Sequence, residues 1–259
     1  MLVFTSFSKS NFYLRSTFST FVLNQKQTPI NPFLNFEYNL SGTVDKDLIR
    51  IANNTMIKKC GQLWVFGSVS DGVLMEIYLA QKQGKKVHYF IAKDDKFNEI
   101  SKSDVTLENV SPWMWEYVLA NKSLERWHPR LRFNKIYPLV YPAYSKRNFY
   151  LQMHISQFCL EKHYVPLNPF MLFRYFLGDT VKRELVYQAN EDIVQSSNEL
   201  WTFGEIADGV MDEIITAKKE RIKVKYFKIS QTNPVRFRQI PTQQVVFEKA
   251  ELEKYRNEL

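Results

Sequence analysis

The chain opens on an apolar run, Leu2–Phe7, that ends in the polar turn Ser8-Lys9-Ser10-Asn11. A short apolar run closed by turn residues reads as a buried strand. Helical periodicity follows to about Asn24, and residues 28–33 read as a second short strand. A looped segment to Gly42 and a helix over 44–59 come next. Gln62–Phe66 is rich in β-forming side chains and predicts a strand, with a turn over 67–72 and a helix over 73–83. Gly84 stops that helix in the position that favours a left-handed residue, and residues 86–91 predict a further strand. Strands alternating with helices of roughly 10–16 residues imply βαβ units, hence a mostly parallel sheet with helices on both faces.

The pattern then runs a second time. Asn31-Pro32-Phe33 returns as Asn168-Pro169-Phe170, and Leu63-Trp64-Val65-Phe66-Gly67 as Leu200-Trp201-Thr202-Phe203-Gly204. Asp71-Gly72-Val73 with Glu76-Ile77 returns as Asp208-Gly209-Val210 with Glu213-Ile214, and all three repeats share an offset of 137 residues. One constant offset means one duplicated domain, and the period is far too long for a solenoid. Past residue 229 the offset becomes 140, because the second copy carries three extra residues near 231–234. That tail predicts one more strand per copy. The organisation expected is two tandem flavodoxin-like or Rossmann-like α/β domains, residues 1–110 and 135–259, related by a pseudo-two-fold. Between them lies a connector, 111–134, holding Trp113, Trp115 and Trp127. Three tryptophans do not suit a solvated linker, so a helix packed on one or both domains is expected.

Composition adds two points. Aromatic residues make up 15% of the chain, enough to fill two cores and to line a pocket that stacks flat rings. The net charge of +8 favours anionic partners such as nucleotides or, with less support, nucleic acid, although no Lys/Arg block is dense enough to be a nucleic-acid motif. The two cysteines, Cys60 and Cys159, occupy non-equivalent positions, so neither a disulfide framework nor a metal site is implied, and a reducing, cytoplasmic setting fits. The first 23 residues contain no acid and could pass for a transit peptide. However, Ser8-Lys9-Ser10-Asn11-Phe12-Tyr13-Leu14 recurs as Ser145-Lys146-Arg147-Asn148-Phe149-Tyr150-Leu151, which makes the segment part of the fold. No apolar run is long enough to span a membrane.

The chemistry concentrates on the strand–turn–helix around Gly67–Gly72 and Gly204–Gly209. In open α/β sheets ligands bind where strand C-termini feed helix N-termini, and such a helix end offers free N–H groups and a positive dipole. Val73, Ile77 and Ala80 form one apolar helix face, and Glu76 lies on it; Val210, Glu213, Ile214 and Ala217 repeat the arrangement. Burying a carboxylate costs several kcal/mol unless something compensates. Glu76 and Glu213 therefore have either a structural partner or a use as nucleophile or general base. Histidine offers no alternative, since no nucleophile–His–acid set is shared by the halves and no metal-ligand spacing exists. The turn also lacks Gly-x-Gly-x-x-Gly and the phosphate-loop lysine motif, which argues against an ordinary dehydrogenase or NTPase. No metal and no cofactor are implied.

The order of these motifs resembles the nucleoside 2-deoxyribosyltransferase-like superfamily. The resemblance covers most of both copies. It rests on Pro142-Ala143-Tyr144-Ser145, with Phe7-Ser8 at the matching place, on Pro29-Ile30-Asn31-Pro32 and Pro166-Leu167-Asn168-Pro169, on Gly72 to Glu76 and Gly209 to Glu213, and on Gly84-Lys85 in the first copy only. It implies that Glu76 and Glu213 match the family's nucleophile, attacking the anomeric carbon of a deoxynucleoside through an oxocarbenium-like transition state. It further implies a substrate site lined by Phe7, Ser8, Asn31, Gly67, Asp71 and Gly72 in one copy and Tyr144, Ser145, Asn168, Gly204, Asp208 and Gly209 in the other. Members commonly form dimers, which a fused duplicate reproduces internally. The expected function is N-glycosidic bond cleavage or deoxyribosyl transfer on a nucleoside or nucleotide. The alternatives are a nucleotide-binding or sensing protein that uses the same cleft without turnover, and a structural or nucleic-acid-contacting role.

Overall fold

The computed structural model describes residues 1–93, 96–126, 128, 131 and 135–259. Trp127, Pro129 and Arg130 of the connector lie outside the described residues.

The N-terminal domain runs β1 (Leu2–Phe7), α1 (Arg15–Asn24), β2 (Thr28–Ile30), α2 (Pro32–Asn35), α3 (Glu37–Thr43), α4 (Lys46–Lys59), β3 (Gln62–Phe66), α5 (Asp71–Lys82), β4 (Lys86–Lys93) and β5 (Lys96–Ile100). The connector supplies α6 (Pro112–Leu119). The C-terminal domain repeats the plan as β6 (Leu139–Tyr144), α7 (Gln152–Glu161), β7 (Val165–Pro166), α8 (Pro169–Leu172), α9 (Arg174–Thr180), α10 (Arg183–Ser196), β8 (Glu199–Phe203), α11 (Asp208–Lys219), β9 (Lys223–Ser230) and β10 (Arg236–Ile240).

Each domain is a five-stranded sheet, ordered β2-β1-β3-β4-β5 and β7-β6-β8-β9-β10. All pairs are parallel except the last, in which the tail strand returns antiparallel to β4 or β9. This is the flavodoxin-like strand order, whose direction of winding reverses between the first and third strands. The fold is thus α/β, two tandem Rossmann-like domains with mostly parallel sheets. The strand expected over 28–33 is shorter than its apolar pattern, because the buried Asn31 side chain accepts from the amides of Phe33 and Leu34 and starts α2 with Pro32 at its first position. The segment expected as loop up to Gly42 is accordingly two short helices.

The domains meet through equivalent elements: α2 packs on α8, α1 on α9 and α10, α7 on α3 and α4, β2 on α10, and β7 on α4. That reciprocity is the signature of an isologous, two-fold contact. One hydrophobic core runs unbroken through both domains, while the opposite face of each sheet has its own aromatic cluster, Trp64/Phe66/Phe90 and Trp201/Phe203/Phe227. At the axis Glu37 forms an ion pair with Arg174, its own counterpart at the offset of 137. Asn35 donates to the Pro166 carbonyl (2.7 Å) and accepts from the Asn168 amide (3.2 Å), closing the seam. In the connector, Trp115 and Val118 of α6 are buried in the shared core and α6 packs on α5, so this segment is structural. No helix among the described residues is long and apolar enough to cross a membrane.

Candidate functional site

Each domain has a cavity at the carboxyl edge of its sheet, beside the point where the winding reverses. The C-terminal cavity is about 900 Å³ and the N-terminal one about 440 Å³. The same parts build both. An aromatic pair forms one wall, Phe7 with Phe33 at 5.0 Å between centroids and Tyr144 with Phe170 at 4.9 Å. The start of α5 or α11 forms another, with Gly72-Val73 or Gly209-Val210. Glu76 and Glu213, one turn into those helices, reach into the cavities.

The halves hold this carboxyl differently. Glu76 is 8% exposed and accepts a 2.5 Å hydrogen bond from Ser6 Oγ on β1. The equivalent of Ser6 is Ala143, so the second copy needs another donor. Tyr141 supplies it, donating from its hydroxyl to Glu213 Oε1 at 2.6 Å, where the first copy has the apolar Phe4. Glu213 keeps some surface toward the larger cavity, yet protein surrounds it closely enough for desolvation to push its carboxyl up to about 8. The Tyr141 bond pulls the other way, and the negative charge of Asp212 adds to the rise. Burial and the neighbouring Glu213 hold the Tyr141 hydroxyl well above the ordinary phenol range. At neutral pH most Glu213 carboxyls therefore carry a proton.

The structure also sorts the other residues expected at the site. Phe7, Gly72, Tyr144, Ser145, Asp208 and Gly209 lie on cavity walls. Ser8, Asn31, Gly67, Asp71, Asn168 and Gly204 lie on neither wall. Asn31 and Asn168 are fully buried, and their amides are spent on capping α2 or α8 and on donating to a carbonyl and a serine of the preceding helix, Arg15 O and Ser19 Oγ or Gln152 O and Ser156 Oγ. Tyr144 points its hydroxyl into the protein at Asn168 Oδ1 (2.8 Å), so only its ring face serves the cavity. Gly67 and Gly204 sit at φ +76° and +83°, and a Cβ on either would fall 2.7 Å from the Nδ2 of Asn11 or Asn148. Glycine is required there by the turn. The Ser8 hydroxyl caps the short 3₁₀ turn after β1, and the exposed Asp71 pairs with His128 Nε2 at 2.9 Å. The Gly84-Lys85 turn is structural as well: Lys85 Nζ donates to the carbonyls of Lys58 and Cys60 at the end of α4.

Two groups of wall residues lay outside the sequence expectation. Asn53 on α4 and Asn190 on α10 are equivalents at the offset of 137, each on its cavity wall, each with a buried Oδ1 that accepts no hydrogen bond. The repeat itself carried that signal. The second group is a basic rim on the C-terminal cavity, with Lys146, Arg147, Arg174, Arg183 and Lys249 set among Asp179, Asp208 and Glu248. These come from four separate stretches of chain, so no local motif announces them. Arg147 Nε pairs with Glu248 at 2.5 Å, and Lys249 Nζ with Asp208 at 2.6 Å. Among the described residues no group of three or more His, Cys, Asp and Glu side chains is placed to hold a metal ion. Both cysteines are buried, and burial pushes the Cys60 thiol up to about 12, so neither is a ready nucleophile.

The arrangement can admit a flat, partly apolar ligand beside aromatic rings and present it to a carboxyl that accepts from a hydroxyl donor. Comparison with known proteins agrees with the duplication. The model of the DUF7768 family, a domain of unknown function, matches twice, over residues 5–90 and 140–227, which takes in the first four strands of each domain. No curated protein matches the chain. The chain therefore belongs to the DUF7768 family and carries one copy of its domain in each half.

Proposed function

We propose that the two cavities bind nucleoside-type ligands and that Glu76 and Glu213 act on the N-glycosidic bond. In this reading a carboxylate oxygen attacks the anomeric carbon as the bond to the base breaks. The base departs with the bonding electrons and takes up a proton, and water or a second base then releases the sugar from the carboxylate. A carboxylate suits the step because the sugar passes through a cationic, oxocarbenium-like state. The observation that carries the reading is the paired placement of Glu76 and Glu213: each half keeps a carboxyl inside a cavity at the ligand-binding edge of the sheet, held by a hydroxyl donor. The motif order shared with the nucleoside 2-deoxyribosyltransferase-like superfamily supports it. The test is release of free base from a panel of deoxynucleosides and deoxynucleotides. Turnover that survives the double replacement Glu76→Gln, Glu213→Gln would refute it.

A second reading, ligand binding without turnover, is favoured by the state of Glu213. A carboxyl pushed up to about 8 is mostly neutral at pH 7, and a neutral carboxyl donates a hydrogen bond instead of attacking carbon. Calorimetric binding with no product at pH 7 or pH 9 would select this reading. Product that rises as pH passes through 8 would select the first.

A further inference from the structure

The two cavities derive from one ancestral cavity, yet they differ in charge. The C-terminal wall has nine ionisable positions, five basic and four acidic; the equivalent N-terminal positions hold two basic, four acidic and three uncharged residues. Three exchanges add positive charge, Glu37 against Arg174, Ser10 against Arg147 and Asn109 against Lys249, and one, Gly42 against Asp179, subtracts part of it. The first three are visible in the contacts. Where Ser10 Oγ donates to Glu108 Oε2 at 3.0 Å, Arg147 instead meets Glu248 at 2.5 Å. Lys249 reaches Asp208 beside the start of α11, whose own dipole favours an anion. Arg174 lines the C-terminal cavity while its partner Glu37 lines the other, so the ion pair on the axis presents opposite charges to the two halves. Burial lowers the basicity of Arg174, and the nearby guanidinium of Arg15 from the N-terminal domain lowers it further.

Resting on the reading that the cavities take nucleoside-type ligands, we infer that the C-terminal cavity selects the phosphorylated form, a nucleoside monophosphate, and the N-terminal cavity the unphosphorylated form. Arg174, Arg147 and Lys249 surround the phosphate. A guanidinium gives a phosphate a planar pair of donors, and a phosphate dianion offers more acceptor oxygens than the single carboxylate each cation now faces. In the N-terminal cavity Glu37 repels the same group. Cavity size agrees, since the C-terminal cavity is about twice the volume of the other.

The test uses the full chain with the four 2′-deoxynucleosides, their 5′-monophosphates and ribose 5-phosphate, read by calorimetry and by hydrogen exchange. The expected result is a monophosphate bound at least about tenfold more tightly than its nucleoside, with exchange slowed over residues 169–187. Arg174→Gln and, separately, the exposed Lys249→Gln should each remove most of that preference. The exchanged pair Glu37→Arg, Arg174→Glu should move the monophosphate's protection to residues 32–50. Equal affinity for the two forms, protection by the monophosphate in the N-terminal cavity of the unaltered chain, or an unchanged preference in both single variants would overturn the inference. Binding of ribose 5-phosphate as tightly as the monophosphates, with no nucleoside bound, would uphold the phosphate assignment of the C-terminal cavity and overturn the nucleoside assignment of the N-terminal one. No binding by any probe would remove both.

Discussion

Set side by side, the two cavities show which constraints the fold imposes and which it leaves free. Both keep a glutamate one turn into the helix, an aromatic pair, a glycine at the helix start and an asparagine on the facing helix. They differ in how the glutamate is held: Ser6 on one strand position serves Glu76, and Tyr141 two positions earlier serves Glu213. A buried carboxyl left without a donor is costly, so loss of one partner had to be matched by gain of another. The carboxyl is thus the retained feature and its support the adjustable one.

The comparison can be broken at its strongest point. If both glutamates carry out the chemistry, the double variant Glu76→Gln, Glu213→Gln should lose base release by a factor of about a thousand or more, with the fold intact by circular dichroism. The single variants should then apportion the activity between the halves.

The difference in carboxyl environment makes a second, purely thermodynamic expectation. Glu213 titrates near 8 in the folded chain against 4.5 as its ordinary value, so between those pH values the folded state holds a proton that the unfolded state has released. Stability from this group is full below about pH 4.5 and is lost as pH rises through 8. Glu213→Gln should flatten that slope and stabilise the chain at pH 8 by on the order of 2–4 kcal/mol in urea titrations. An unaltered slope would show that the carboxyl is not desolvated.

The asparagines separate fold from site. Asn168→Ala removes acceptors and donors that serve Phe170, Tyr144, Gln152 and Ser156, and should cost about 3 kcal/mol; Asn31→Ala, without a tyrosine to strand, should cost about 2 kcal/mol. Neither should change base release per folded molecule, as measured by activity normalised to the native fraction. Gly67→Ala and Gly204→Ala should each destabilise by about 1–2 kcal/mol in thermal unfolding, through their positive φ and the adjacent asparagine. Smallest is the axis: Glu37→Arg places two guanidiniums together and should cost about 0.5–1 kcal/mol, restored by adding Arg174→Glu.

Much of this was legible in the chain. The constant offset of 137 gave two domains, and the alternation of apolar runs gave their parallel sheets. The positions of Val73, Ile77 and Ala80 place Glu76 on the inward face, where it is found. The same repeat misled where fold and site are equally well kept: Asn31, Asn168, Gly67 and Gly204 recur because a cap and a left-handed turn require them. Asn53 and Asn190 recurred too, but a lone asparagine in a helical stretch has no distinguishing local signal. The basic rim was invisible for a different reason. Lys146 and Arg147 follow the first strand of their domain, Arg174 and Arg183 flank a short helix, and Lys249 lies in the tail, so only the closed sheet gathers them.

The physical core of the account is a carboxyl kept out of water inside the C-terminal cavity, and carbon-13 NMR of the glutamate carboxyls reads it directly. One resonance, identified by its loss in Glu213→Gln, should titrate with a midpoint near 8. A midpoint near 4.5 would mean that Glu213 is solvated like any surface acid, which contradicts the desolvated carboxyl and removes the observation that favours binding without turnover.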